Sequence, residues 1–121
     1  MNLQAKIFQF RYVLLIPFLA IVFFIIAILI INRVEYPNSD FFSYWLSGKL
    51  ISSGQNPYNN LIWISEHYRF NATWISDETF LYPLPLAMLF APLGLLSLYN
   101  AFVVWVVLTQ FMIFFAVILL M

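Results

Sequence analysis

One acid stands just beyond a long apolar run, and aromatic residues follow it at once. The acid is Asp40, in the stretch SDFFSYWLSGKLISSGQNPY from Ser39 to Tyr58. Ionisable groups close to hydrocarbon are costly and tend to be functional. A carboxylate within reach of a hydroxyl can act as a general base, and partial desolvation between aromatic rings would strengthen it. The stretch predicts a proton-accepting role for Asp40; the alternative is an exposed acid that only complements a helix dipole.

Other polar residues offer weaker signals. Lys49, Arg33 and Arg69 could reach a phosphate as point charges, but lipid headgroups attract such residues in any case. His67 lies beside Glu66, and adjacent helical residues point apart. Because the chain has no second histidine, we expect a surface histidine and no metal site.

Composition indicates a membrane protein. Hydrophobic residues make up 64% of the 121 residues and charged residues 8%, against about a quarter charged in soluble domains. The formal net charge is zero, which gives no argument for nucleic acid. The chain has no cysteine, so disulfide and thiol chemistry are excluded.

Three apolar segments are long enough to suggest membrane spans. After a head at residues 1–12, we predict transmembrane helices at 13–32, 80–98 and 101–121. The first is read as an uncleaved anchor, because the apolar core of a signal peptide is about 7–15 residues long and ends in small residues. Gln110, in the third, is expected to hydrogen-bond another helix. The predicted fold class is therefore all-α and integral to the membrane, with three spans.

The outer loop, residues 33–79, is predicted to carry two short membrane-parallel helices at about 40–53 and 59–69. Ser39 is expected to cap the first and Gly54 to end it. Helical spacing places Asp40, Tyr44 and Ser47 on one face and Lys49 on the opposite one. Basic residues in the head favour a cytoplasmic N-terminus and an outward loop.

The order of these features resembles a known family. It is carried by Asp40-Phe41, Tyr44-Trp45, Gly48-Lys49, Gly54-Gln55-Asn56-Pro57-Tyr58, Phe80-Leu81-Tyr82-Pro83, Leu89-Phe90-Ala91-Pro92-Leu93, Ala101-Phe102 and Trp105. Over about residues 8 to 115 the chain resembles the N-terminal part of the GT-C glycosyltransferases, most closely family 87, the polyprenyl-phosphate-mannose-dependent mannosyltransferases of bacterial envelopes. It departs from the family pattern where Leu84 separates Pro83 from Pro85. Family members are several hundred residues long with about ten or more membrane helices, so we expect this chain to be the front portion of a larger protein, inactive on its own.

The resemblance implies a function and a set of site residues. Asp40 stands where the family has its catalytic carboxylate, and Tyr44, Trp45, Lys49, Tyr58 and Tyr82 are the expected substrate-binding residues. Tyr44 and Trp45 could stack on a sugar or belong to the aromatic belt of the membrane interface. The donor would be a polyprenyl-phosphate hexose, with mannose expected, and the acceptor a lipid-linked or envelope glycan on the outer face of the cell (inner) membrane. No cofactor is implied, a metal requirement stays open, and further C-terminal membrane helices are a possible partner.

The alternative function is a small non-enzymatic protein. A three-pass membrane scaffold or accessory subunit would use the loop to bind a partner, and Asp40 would then be silent. In the catalytic interpretation, by contrast, Asp40 is indispensable.

Overall fold

The computed structural model describes residues 3–73 and 79–120, with side chains from Val13 onward. Helices account for its regular structure, and no strand occurs within those ranges, which confirms the all-α prediction. The chain divides into two compact units. The long-helix unit comprises Met1–Arg33 and Trp105–Met121, and the loop unit is Val34–Val104. The helices are α1 (Leu3–Arg33), α2 (Asp40–Ser52), α3 (Asn60–Arg69), α4 (Leu84–Gly94) and α5 (Leu98–Leu120), and a 3-10 turn (Tyr36–Asn38) precedes α2.

Two of the described helices have the length and apolar composition to cross a membrane. They are Val13–Arg33 within α1 and Leu98–Leu120, which is α5. Only 6% of the most apolar window of each is buried, so neither is the core helix of a water-soluble fold. Within the long-helix unit, Phe23 and Phe114 meet edge to face with ring centroids 5.8 Å apart.

The predicted third span, at residues 80–98, is not confirmed. The helix there is α4, which has 11 residues and is therefore about 16 Å long at 1.5 Å per residue. The hydrocarbon core is about 30 Å thick. Pro83 holds an extended conformation before the first turn, which delays the helix to Leu84, and the helix ends at Gly94.

The loop unit is built around α2, which packs extensively against α4. The prediction that α2 is a membrane-parallel helix stays a prediction. In the structure α2 is covered on several sides, because its aromatic and aliphatic residues meet α4 and the residues around α3. Its buried residues are Phe41, Phe42, Trp45, Leu46, Ser47, Gly48 and Leu50.

Two glycines allow α2 and α4 to cross at close range. A β-carbon at Gly48 would collide with the backbone carbonyl of Phe90 and lie 2.9 Å from the nitrogen of Ala91. A β-carbon at Gly94 would collide with the backbone of Lys49. Small residues at such a crossing let two helix backbones approach closely.

The ends of α2 and α3 are set by local polar contacts. Ser39 occupies the cap position of α2, but its hydroxyl donates to the carbonyl of Tyr36 at 2.8 Å and makes no capping bond. The predicted serine cap is thus wrong, because the 3-10 turn takes the hydroxyl. Gly54 lies just past the end of α2 with a φ of +73°, as expected of a helix stop. Asn59 caps α3, its side-chain oxygen accepting from the amides of Leu61 and Ile62.

Candidate functional site

Asp40 borders a small concavity in the loop unit. Its volume is about 50 Å³, and carboxylate, hydroxyl and aromatic groups line it. The lining residues are Asp40, Ser43, Trp63, Thr79, Phe80, Leu81 and Tyr82.

One wall of the concavity is an extended segment held in place by two hydrogen bonds. The amide of Phe80 donates to the carbonyl of Pro57 at 3.3 Å. The hydroxyl of Tyr58 donates to the carbonyl of Tyr82 at 2.7 Å. Trp63 supports the same wall from α3, its ring centroid 5.7 Å from that of Phe80. Tyr58 therefore positions Tyr82 and does not itself line the concavity.

Tyr44 connects Asp40 to Tyr82. It lies one turn after Asp40 on α2, its ring centroid is 5.2 Å from that of Tyr82, and it stacks on Phe90. The pKa of Tyr44 is raised to about 12. The largest cause is a hydrogen bond with Tyr82, followed by burial and by the charges of Tyr82 and Asp40. Tyr44 is therefore protonated at neutral pH and acts as a hydrogen-bonding hydroxyl. The structure thus brings together Asp40, Tyr44, Tyr58 and Tyr82 of the predicted site.

Asp40 itself is exposed, whereas we expected a partly desolvated carboxylate. The reason is its place as the first residue of α2, at the border of the aromatic packing. Such a carboxylate can accept a proton from, or orient, a hydroxyl that enters the concavity.

Trp45 cannot stack on a ligand in this structure. It is 1% exposed, and its indole nitrogen donates to the carbonyl of Leu96 at 3.2 Å. Phe42 and Phe70 pack against the ring. Its role is to join α2 to the end of α4, which corrects the sequence-based assignment to substrate binding.

Lys49 lies away from the concavity, as its helical position predicts. Its ammonium group is 5.5 Å from the ring centroid of Trp45 and 6.0 Å from that of Phe70, and it lines a different groove, with Gly94 among others. Ser47 was expected on the Asp40 face but is fully buried, with its hydroxyl donating to the carbonyl of Tyr44 at 2.8 Å.

The two arginines singled out from the sequence are not placed at the concavity either. Arg69 forms an ion pair with Glu66 at 3.2 Å on the exposed side of α3. Arg33 ends α1, in the long-helix unit.

Sequence reasoning missed five lining residues. Ser43 follows Asp40 by three positions on a helix and could have been found from that spacing. Trp63 and residues 79–81 come from distant parts of the chain, and nothing in their local sequence indicates the contact.

His67 is buried, and the prediction of a surface histidine is wrong. It is 3% exposed and lies between Phe42 and Trp63, at ring-centroid distances of 5.0 and 4.8 Å. Its Nδ1 is 2.8 Å from the carbonyl of Trp63, so Nδ1 carries the proton and donates it. Burial lowers the pKa of His67, partly offset by this hydrogen bond.

We expect the loop unit to lose stability as the pH falls below about 6.5, the ordinary pKa of histidine. Below that pH the unfolded chain binds a proton at His67 that the folded chain resists, so the free energy of unfolding falls until the lowered folded pKa is reached. His67→Asn should flatten the profile, measured by tryptophan fluorescence during urea unfolding between pH 7.5 and 5.0. Glu66→Gln, on the same helix, is the control, and a slope unchanged by His67→Asn would contradict this.

Within the described residues, no group of three or more histidine, cysteine or acidic side chains could hold a metal ion. Comparisons with protein-family models, with curated proteins and with solved structures found no match to this chain.

Proposed function

We propose that this chain is an integral-membrane protein carrying the N-terminal part of a GT-C-type glycosyltransferase site. α1 and α5 cross the cell (inner) membrane, the N-terminus is cytoplasmic, and the loop unit lies on the outer face. The donor is a polyprenyl-phosphate hexose, with mannose our choice, and the acceptor is a hydroxyl of a lipid-linked or envelope glycan.

The observation that carries the proposal is the placement of Asp40. Asp40 borders a concavity that Ser43 and Tyr82 also line, and it follows α1 after a short connection that holds the 3-10 turn. Aromatic and hydroxyl groups beside a carboxylate suit a sugar, which has apolar ring faces and many hydroxyls. Tyr44 and Tyr58 hold Tyr82 at this position through their contacts.

The proposed step is a single displacement. Asp40 accepts the proton of the acceptor hydroxyl while the oxygen of that hydroxyl bonds to the anomeric carbon. The bond from that carbon to the phosphate oxygen breaks, and polyprenyl phosphate leaves with the electron pair. Direct displacement with one base inverts the anomeric configuration.

The topology can be tested with single cysteines, because the chain has none of its own. In intact cells, Ser53→Cys, at the exposed end of α2, should react with a membrane-impermeant maleimide. A cysteine added after Met121 should react only after lysis, since two spans return the chain to the cytoplasm. Protection of Ser53→Cys would contradict the outward loop, and labelling after Met121 in intact cells would restore the third span.

The activity can be tested in membranes prepared from cells that express the complete reading frame. Transfer of labelled mannose from polyprenyl-phosphate mannose to extracted envelope lipids is the expected result. The concavity, at about 50 Å³, holds waters rather than a whole sugar, and this favours a second candidate, the non-enzymatic membrane scaffold or accessory protein. Absence of transfer with every polyprenyl-phosphate hexose supplied would favour that candidate.

A further inference from the structure

An apolar groove runs between the two long helices, within the long-helix unit. Its volume is about 270 Å³. The α1 side presents two alanines with phenylalanines between them, and the α5 side presents one polar residue, Gln110. The lining residues are Ala20, Phe23, Phe24, Ala27, Val107, Gln110, Phe111 and Phe114.

Gln110 is the polar group of this groove. Among the described residues, its side-chain amide has no hydrogen-bond partner. Its neighbour Thr109 differs, because the Thr109 hydroxyl bonds the carbonyls of Trp105 and Val106 on the same helix, both at 2.9 Å. Thr109 is therefore satisfied within α5, and Gln110 is not.

An unpaired amide at the depth of Gln110 in the membrane is unfavourable. Gln110 lies inside the candidate span Leu98–Leu120, about 18 Å past its first residue at 1.5 Å per residue. Headgroups and bulk water do not reach the middle of a bilayer about 30 Å thick. An amide without a partner in hydrocarbon costs several kcal/mol, so a second polar group is expected there.

We propose that this groove is a self-association surface, where Gln110 pairs with Gln110 of a second copy of the chain. The inference rests on the membrane placement in the proposed function, but not on the transferase activity. Copies inserted with the same topology carry Gln110 at the same depth, facing each other across a two-fold axis. An amide both donates and accepts, so two of them satisfy each other.

A lipid tail could fill the groove but would leave the amide unpaired. A different protein would need a polar side chain at matching depth. A second copy carries one by construction, and the small side chains of Ala20 and Ala27 let another helix approach.

The test uses the full chain in lipid nanodiscs and vesicles, labelled for energy transfer over a range of protein-to-lipid ratios. Gln110→Leu should weaken self-association roughly 3- to 30-fold, the range for polar contacts between membrane helices. Thr109→Val is the matched control and should associate like the wild type. Gln110→Asn retains an amide and should keep much of the association.

A second measurement locates the interface. Val107→Cys, in the groove, should form a disulfide-linked dimer on oxidation, whereas Met112→Cys, exposed elsewhere on α5, should not. The proposal would be overturned by any of three results. The wild type could be monomeric at every protein-to-lipid ratio, Gln110→Leu could associate as the wild type does, or the two cysteine variants could cross-link equally. Alkaline extraction tests membrane insertion separately: if the chain is extracted, the placement fails, and an inserted but monomeric chain refutes self-association alone.

Discussion

Asp40→Asn is expected to lower the transfer rate about 10²- to 10⁴-fold, the usual contribution of a positioned general base. The change keeps the size of the side chain and removes its ability to take a proton. Since Asp40 is exposed and borders the concavity, the fold should tolerate the substitution. The measurement is the initial rate of mannose transfer in membranes, normalised to the amount of protein.

Glu35→Gln supplies the control for the loss of one carboxylate near α2. Glu35 is exposed and accepts a hydrogen bond from Asn38 at 3.3 Å, outside the concavity. Its variant should retain the wild-type rate. If Asp40→Asn keeps a near wild-type rate as well, Asp40 has no catalytic role.

Gly48→Ala is expected to lower the free energy of unfolding of the loop unit by about 1–2 kcal/mol. The added methyl group meets the backbone of Phe90 and Ala91, and backbone cannot rotate away as a side chain would. Overpacking of this kind costs about 1–3 kcal/mol and occasionally more, and the better helix propensity of alanine returns up to about 1 kcal/mol. Urea titration followed by tryptophan fluorescence gives the value, because Trp45 and Trp63 are buried in this unit.

Gly54→Asn is the matched control. A β-carbon there meets nothing within 4 Å, and asparagine tolerates the positive φ of this position. We expect a change below about 1 kcal/mol. Equal stability of Gly48→Ala and the wild type would show that α2 and α4 do not cross as closely as described.

The bounds of α2 and α3 could be predicted to within a residue because their signals are local. Asn59 and Gly54 mark helix ends by the chemistry of their own side chains and backbone. The burial of α2 could not be predicted from the sequence, because it depends on contacts with α4 and Phe70, which are distant in sequence. The third span was not confirmed for a similar reason: hydropathy counts apolar residues but does not register that the helix begins only after Pro83.

The candidate site divides in the same way. Helical spacing places Asp40 and Tyr44 on one face of α2, whereas Tyr82 was named as a site residue only through the resemblance. Trp45 and His67 were misassigned because their ring nitrogens suggested side chains that face solvent or a ligand. In the folded chain, a nitrogen of each ring bonds a backbone carbonyl, and the rings are buried.

The burial of α2 has a consequence for how freely its residues can vary. Along α1, exposed side chains outside the groove, such as Phe18 and Leu29, need only stay apolar, so exchanges among leucine, isoleucine and phenylalanine should have little effect on stability. Along α2, shape matters at most positions, and a saturation library should tolerate few exchanges between Phe41 and Leu50. Neutral substitutions should therefore accumulate fastest in α1, and the sequence of the 13-residue helix α2 should change most slowly.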